Sequence, residues 1–499
     1  MSVLRFTFFF ALCGLSTFAC SNNVVNPIDY GVNTAVNGVE RYNALYQAHC
    51  AALKQGATVS YKGIDSLEIE IPADAKPIPL GEKTDFCGMV LTVVDNTKDA
   101  FVFEMIQETD SVWIENTQVD DGDFSQTDKL RQGLFLLVIS DKNPWVDNRK
   151  GYNYGHIRRD MLVVKDGKAQ NRPISPYDND ASSASGAYSR VTPSKKFIQN
   201  LKMLRAQGNQ KEAFLFDIKH QYNVEIRNIA IHTPQNDTLV NDRIIRIVNS
   251  ASISLRDVTI DGTYSQKKHS GYGLSMNNVY DSRFCRLNAH GNWGVFGTNN
   301  MHKTTLKDCD INRFDIHCYG RDVTFESCTF RNLYNQFASI YGKVHFDHCK
   351  FVDFIPIAIG KSYNAYTKFD VIIHNCLFET PNRNLYYLIK ATGISDDELN
   401  KRPELSTKEY PNVFINGLKI KSSGDIWGNF YIFNFGMHIA NDSVPSIINL
   451  KNIEFLSGNK KVSLVLSSPS LAHLSIPMCE LLVWGGVVFA LITLLRCKK

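Results

Sequence analysis

The chain has 499 residues, 44% hydrophobic and 21% charged, which suits a folded protein and excludes disorder over most of its length. Its net charge of +4 traces to Arg5, Arg496, Lys498 and Lys499 at the two ends. The body is therefore neutral and lacks the electrostatic footprint of a nucleic-acid binder. That length accommodates two to four domains or one elongated repeat.

Residues 1–19 carry an early Arg and an apolar run from Phe6 to Leu15, the pattern of a secretory signal peptide. Thr17-Phe18-Ala19-Cys20 resembles a bacterial lipobox, which would make Cys20 a lipidation site. Plain cleavage after Ala19 is the alternative. Residues 20–90 read as an N-terminal cap and first coils. Ala44, Leu45, Ala48, Ala51 and Ala52 mark one face of a helix there.

Residues 91–220 read as early coils carrying inserted strands and a loop. Segments GMVLTVVDN, AFVFEMIQ, SVWIENTQV, GLFLLVIS and MLVVKDG are strand-like, and residues 171–190 read as a polar loop. A short helix is expected after Thr192-Pro193, through Phe197, Leu201 and Leu204. Cys50 and Cys87 are candidates for a bridge in an exported protein.

Residues 221–460 contain a repeat. SRFCRLNAHG, TLKDCDINRF, TFESCTFRNL, HFDHCKFVDF and IIHNCLFETP align on Cys285, Cys309, Cys328, Cys349 and Cys376, and Ile229, Val258, Leu418 and Ile453 fill the same slot on either side. Short strands and turns at this period predict a parallel β-solenoid, whose stacked coils place equivalent side chains in ladders. The cysteines read as buried packing thiols, because ladder positions project in parallel and no CxxC pair is present. No metal site and no cofactor are expected. Residues 392–411 read as a polar insertion between coils.

The stretch NPIDYGVNTAVNGVERYNALYQAHCAALKQGATVSY, with Asp29-Tyr30-Gly31 and Gly56-Ala57-Thr58-Val59, resembles the opening of pectin-lyase-like proteins. Together with the rungs, the resemblance spans about residues 26 to 456. It implies an all-β, right-handed parallel β-helix with an N-terminal capping helix. The superfamily contains polysaccharide lyases, polygalacturonase-type hydrolases, phage tailspikes and surface adhesins, so it implies no single function. The hydrolases' Asn-Thr-Asp motif is missing, and only Ala289-His290-Gly291 and Lys419-Ile420-Lys421 approach their other motifs.

Strand alternation in DINRFDIHCYGRDVTFESCTF puts Phe314, Ile316 and Cys318 inward and Arg313, Asp315, His317 and Tyr319 outward. Counting from the cysteines aligns Gly291, Asp315 and Tyr334, and likewise Trp293, His317 and Gln336. An acid and an imidazole between aromatic platforms suit a sugar. Asp315, His317 and Arg313 are the candidate catalytic residues. Trp293, Tyr319, Arg321, Tyr334, His290 and Asn292 are the candidate substrate-binding residues. The alternative is a solvated strand whose charges pair across rungs.

Residues 479–499, with an apolar run from Leu481 to Leu495 and a basic end, read as a C-terminal hydrophobic helix serving as membrane anchor or sorting tail. The expected protein is exported, anchored to the membrane or cell surface, and binds polysaccharide. In the stronger form it cleaves it as a lyase or glycoside hydrolase. The rival is a non-catalytic structural or adhesion protein. A tailspike is a third reading, disfavoured by the signal peptide and apolar tail.

Overall fold

The computed structural model describes residues 23–94, 101–146, 156–175, 177, 184–205, 214–232, 243–261, 272–289, 294–331, 335–338, 340–352, 357–359, 369–380, 386–391, 411–422, 429–434, 447–456, 463–467 and short segments within 482–493. Successive coils stack as parallel strands, each pairing with its equivalent in the coil before and after. The architecture is a parallel β-helix.

What turns the chain at each corner is a residue in the left-handed region. Asn228, Asp257, Arg286, Asp308, Ser327, His348, Asn375, Gly417 and Asn452 occupy one such corner in successive coils, with φ between 49° and 81°. Asn and Asp tolerate this region better than most residues. At Gly417 a Cβ would lie 2.3 Å from Asn375 Oδ1, so only glycine fits beneath that side chain. Corner-to-corner lengths run from 19 residues, Asp308 to Ser327, to 42, Asn375 to Gly417. The register nevertheless holds, because length varies in the loops between strands.

The residue after the corner faces inward, giving the ladder Ile229, Val258, Leu287, Cys309, Cys328, Cys349, Cys376, Leu418 and Ile453, all buried. Four of the five expected cysteines belong to it. Cys285 does not: it lies two residues early, opposite Arg256, half-exposed and accepting from Arg286 Nη1. Each ladder thiol donates to the carbonyl two residues back, as in Cys309 to Lys307 O at 3.3 Å and Cys376 to His374 O at 3.3 Å. A thiol thereby satisfies a corner carbonyl while packing as a small apolar group. Phe325 on Phe346 and Phe330 on Phe351 stack as parallel rings beside this ladder.

Helix α1 (Gly38–Gln55) begins at Asn37, whose side chain accepts from Glu40 N, and ends at Gly56 with φ 60°. It buries Tyr42, Leu45, Ala48, His49 and Ala52 against the first strands. Its first turn lies so close to strand Ser66–Glu70 that a Cβ on Gly38 would meet Glu70 N at 2.8 Å. Cys50 and Cys87 are both free thiols, so the bridge considered from sequence is not formed.

Residues 196–205 are a strand, Lys196–Arg205, and not the expected helix. The left-handed corner at Asn200 shifts the inward parity from Ile198 to Leu201 and Met203. That shift imitates a helical period in the sequence.

Strands Asp110–Ile114, Leu134–Val146, His156–Lys165, Lys168–Ala169 and Ala184–Val191 form a separate five-stranded antiparallel sheet. The last of these lies in the stretch expected to be loop. One face of the sheet packs with Val119 of helix α2 (Asn116–Asp121) and with Phe124, Leu130 and Tyr177. The other buries Leu136, Val138, Met161 and Val163 against Ala251, Tyr222 and Tyr280 of the solenoid flank. The described residues of the C-terminal segment are short strands, Leu482–Trp484, Val487–Phe489 and Ile492–Thr493, in place of the expected helix. The last two pair antiparallel with Ile448–Phe455. Among the described residues no helix is long and apolar enough to cross a membrane.

Candidate functional site

Arg313 and Asp315 sit at the start of strand Phe314–Glu326, and both are buried, with side chains 3% and 0% exposed. Arg313 Nη2 lies 2.5 Å from Asp315 Oδ2, and Tyr272 Oη donates to the same oxygen at 3.1 Å. Phe314 N donates to Asn335 Oδ1 of the next coil at 2.8 Å. The expected outward, solvated face is thus a buried polar network. The Asp315 carboxylate is thus engaged by a guanidinium and a phenol in a buried setting.

The register also differs from the one counted on cysteines. Asp315 pairs with Gly297 and Gln336, not with Gly291 and Tyr334. The displacement of Cys285 and the unequal coils account for this. Between Ile316, opposite Thr298, and Cys318, opposite Asn299, the strand bulges by one residue at His317. The side chains of His317 and Cys318 lie outside the described residues, as do Trp293, His290, Asn292, Tyr334 and Cys20.

Tyr319 and Arg321 are described, and they serve another contact. Tyr319 has φ 71° and is 1% exposed, at the corner where earlier coils carry His220, Asn249, Asn278 and Asn300. A bulky residue there is conformationally costly. The compensation lies across the flank, where its hydroxyl donates to Asp160 Oδ2 of the inserted sheet at 3.1 Å and meets Ser175 Oγ at 3.2 Å. Asp160 also accepts from Tyr177 Oη at 2.8 Å and Ile174 N at 2.7 Å, while Arg321 Nη1 donates to Ile174 O at 2.9 Å. Both residues thereby hold the inserted sheet to the solenoid.

A cleft of 440 Å³ opens where the last inserted strand returns to the solenoid. Its apolar wall is Leu53, Leu80, Met105, Ile106 and Val191, with the polar residues Glu82, Gln107, Lys196 and Gln221 beside it. Arg190 also lines it, but its guanidinium donates to Gln132 O and lies over Phe135 on the inserted sheet. The volume is in the range of ligand sites. Lys196 is buried and donates to Gln221 Oε1 at 2.7 Å, and that burial lowers its pKa while Glu82 opposes the shift. Ser194 Oγ donates to Glu82 Oε1 at 3.1 Å. Sequence reading anticipated an insertion beside the coils but named none of these residues. The signal was Lys196, a lysine at an inward position of strand Lys196–Arg205.

Among the described residues, metal-ligand chemistry converges at Asp347, His348 and His374, on two adjacent coils.

No protein-family model matches the chain, and neither does any curated protein sequence. Solved structures do. The tailspike protein gp49 of Pseudomonas phage LKA1 is similar over 90% of this chain and 84% of its own, with TM-score 0.50 and 10% identity. The fold is that of the pectin-lyase-like parallel β-helices. The tailspike gp61 of Pseudomonas phage phi297 (TM-score 0.47, 12% identity, 87% and 86% covered) and the Streptococcus pneumoniae surface protein and adhesin PfbA (0.38, 11%, 89% and 100%) are also similar. At 10% identity the likeness to gp49 shows the β-helix fold and leaves the role to the site.

Proposed function

We propose that this β-helix protein is exported, held at the membrane or cell surface by one or both ends, and binds polysaccharide. The observation that carries the binding reading is the cleft between inserted sheet and first coils. Apolar side chains there face the ring carbons of a sugar, while Gln107, Glu82, Lys196 and Gln221 supply hydrogen bonds to its hydroxyls. Export is supported by the apolar run at residues 6–15. We place α1 as the cap of the solenoid end, a role supported by its buried face.

Binding is better supported than cleavage, because Asp315 is committed to Arg313. Lyase or hydrolase chemistry by Arg313, Asp315 and His317 would require that pair to open. The rival, a structural or adhesive surface protein, is favoured by the cross-coil pairs Arg286–Asp257 and Arg331–Asp310, which consume charge along the outer face.

The test is binding to matched panels of anionic and neutral polysaccharides, followed by assay for unsaturated or reducing ends. Glu82→Gln and Gln107→Ala should each weaken binding by about 1 to 3 kcal/mol with Tm preserved. Unchanged binding in both variants would remove the cleft from the reading. Binding by none of the panel would favour the structural rival.

A further inference from the structure

Two imidazoles from neighbouring coils aim at one carboxylate oxygen. His348 Nδ1 lies 2.9 Å and His374 Nδ1 2.8 Å from Asp347 Oδ1. The three ligand atoms all fall within 4.8 Å of one another. On the far side of both rings, Asn375 Nδ2 stands 3.5 Å from His348 Nε2 and 3.3 Å from His374 Nε2. The rings themselves are nearly perpendicular, with centroids 5.9 Å apart.

The placement departs from the rest of the ladder. His348 holds the left-handed corner, φ 52°, that Asp308, Ser327, Asn375 and Gly417 hold in nearby coils. His374 follows Asp347 directly in register, and Asn416 takes the same position one coil later. Corner geometry is met by Asn, Asp, Ser or Gly, so it does not call for histidine at 348, and His374, one residue before the corner at Asn375, is under no such demand. A hydrogen-bonded surface cluster would be served by one imidazole on Asp347.

We propose that Asp347, His348 and His374 bind a first-row transition-metal dication, with zinc as the best chemical fit. Two imidazole nitrogens and one carboxylate oxygen are a borderline ligand set that zinc accepts, at about 2.0–2.2 Å each. Each ring exchanges its Nδ1–H tautomer for the Nε2–H tautomer, leaving Nδ1 to the metal, and the Asn375 amide turns over so that its Oδ1 accepts from the new Nε2–H groups. All three residues reach solvent, so a water or ligand oxygen completes the coordination. The ion ties one coil to the next on the outer face, a place where no core packing competes.

The test uses the full chain stripped with a chelator and dialysed. Zinc titration should show one saturable equivalent and raise Tm, since an ion that binds only the folded state stabilises it. His374→Ala and Asp347→Asn should each weaken that binding by at least the 10- to 100-fold that outer-shell changes cost. His345→Gln, on the same strand but outside the triad, should retain it. Cobalt substitution gives a second readout that needs no variant: visible bands without a thiolate charge-transfer band. Equal zinc binding by His374→Ala, or a thiolate band pointing to Cys87, overturns the proposal.

Discussion

At the scale of single residues, burial decides behaviour more than residue type does. His49 lies in α1 with no exposed surface, its Nδ1–H donating to Pro79 O at 3.1 Å and its Nε2 accepting from Tyr61 Oη at 2.8 Å. The carbonyl can only accept, which sets the neutral tautomer. Burial lowers its pKa from 6.5 to about 4. Between those values the unfolded chain binds the proton and the folded chain does not, so stability is complete above about pH 6.5 and falls as pH drops towards 4. The loss reaches roughly 3 kcal/mol at about 1.4 kcal/mol per unit. His49→Gln should flatten the decline in Tm between pH 7 and 5, and parallel curves for the two proteins would refute this. The thiols give a second residue-scale test. Among the described cysteines, Cys87 is exposed and should alkylate first in the native protein, whereas Cys309, Cys328, Cys349 and Cys376 are buried and should label only on unfolding, without reductant. Burial drives the Cys349 thiol well above its ordinary range. Rapid native labelling of Cys328 would contradict the ladder.

At the scale of elements, the inserted sheet and the solenoid are joined, among the described residues, by an apolar contact and by a polar clasp at Tyr319 and Arg321. Tyr319→Phe removes the hydroxyl that bridges Asp160 and Ser175, yet keeps the ring. It should loosen the docking of the sheet by about 1 to 3 kcal/mol, because a buried charged acceptor loses a donor. Limited proteolysis should then cut residues 110–191 faster while the coils stay protected, and an unchanged digestion pattern would make the clasp dispensable. Asp160→Ala should be worse, since Tyr177, Ile174 and Tyr319 all donate to that carboxylate. None of this was visible in sequence. Tyr319 reads as an outward aromatic beside a histidine, and only the path of the insertion covers it. The helix expected near residue 197 failed for a different reason, because a left-handed residue resets strand parity and so alters the apparent period.

At the scale of the whole molecule, the repeat was legible because inward ladders demand small or aliphatic residues at one recurring slot. Ile229, Val258, Cys309, Cys328, Cys349, Cys376, Leu418 and Ile453 were all assigned correctly from that demand. Cys285 was misplaced because a second apolar residue, Leu287, stood two positions on and thiol identity outweighed it. The candidate site was less legible, since a two-residue error in one coil moves every outer neighbour. The juxtaposition of Asp347 and His374 likewise depends on a coil of 27 residues closing in register. A solenoid depends on the covering of its end strands. Deleting residues 1–55 should therefore yield a chain that self-associates with rising concentration, measured by light scattering. A monodisperse truncated protein would show that α1 is not the cap.

The clasp at Tyr319 also orders events in time. Its partners Asp160 and Tyr319 are 159 residues apart, whereas the coils contact only their neighbours. At typical synthesis rates of about 5–20 residues per second, the inserted sheet waits on the order of 10 to 30 seconds for its anchor to emerge. Leu136, Val138, Met161 and Val163 present a bare apolar face until Tyr222, Ala251 and Tyr280 emerge to cover it, and the polar lock follows only with residue 319. A chain that folds coil by coil as it leaves the ribosome or translocon thus has one window of vulnerability, open widest before residue 280. Chaperone dependence during biogenesis should concentrate there, in nascent chains longer than the insertion and shorter than the clasp.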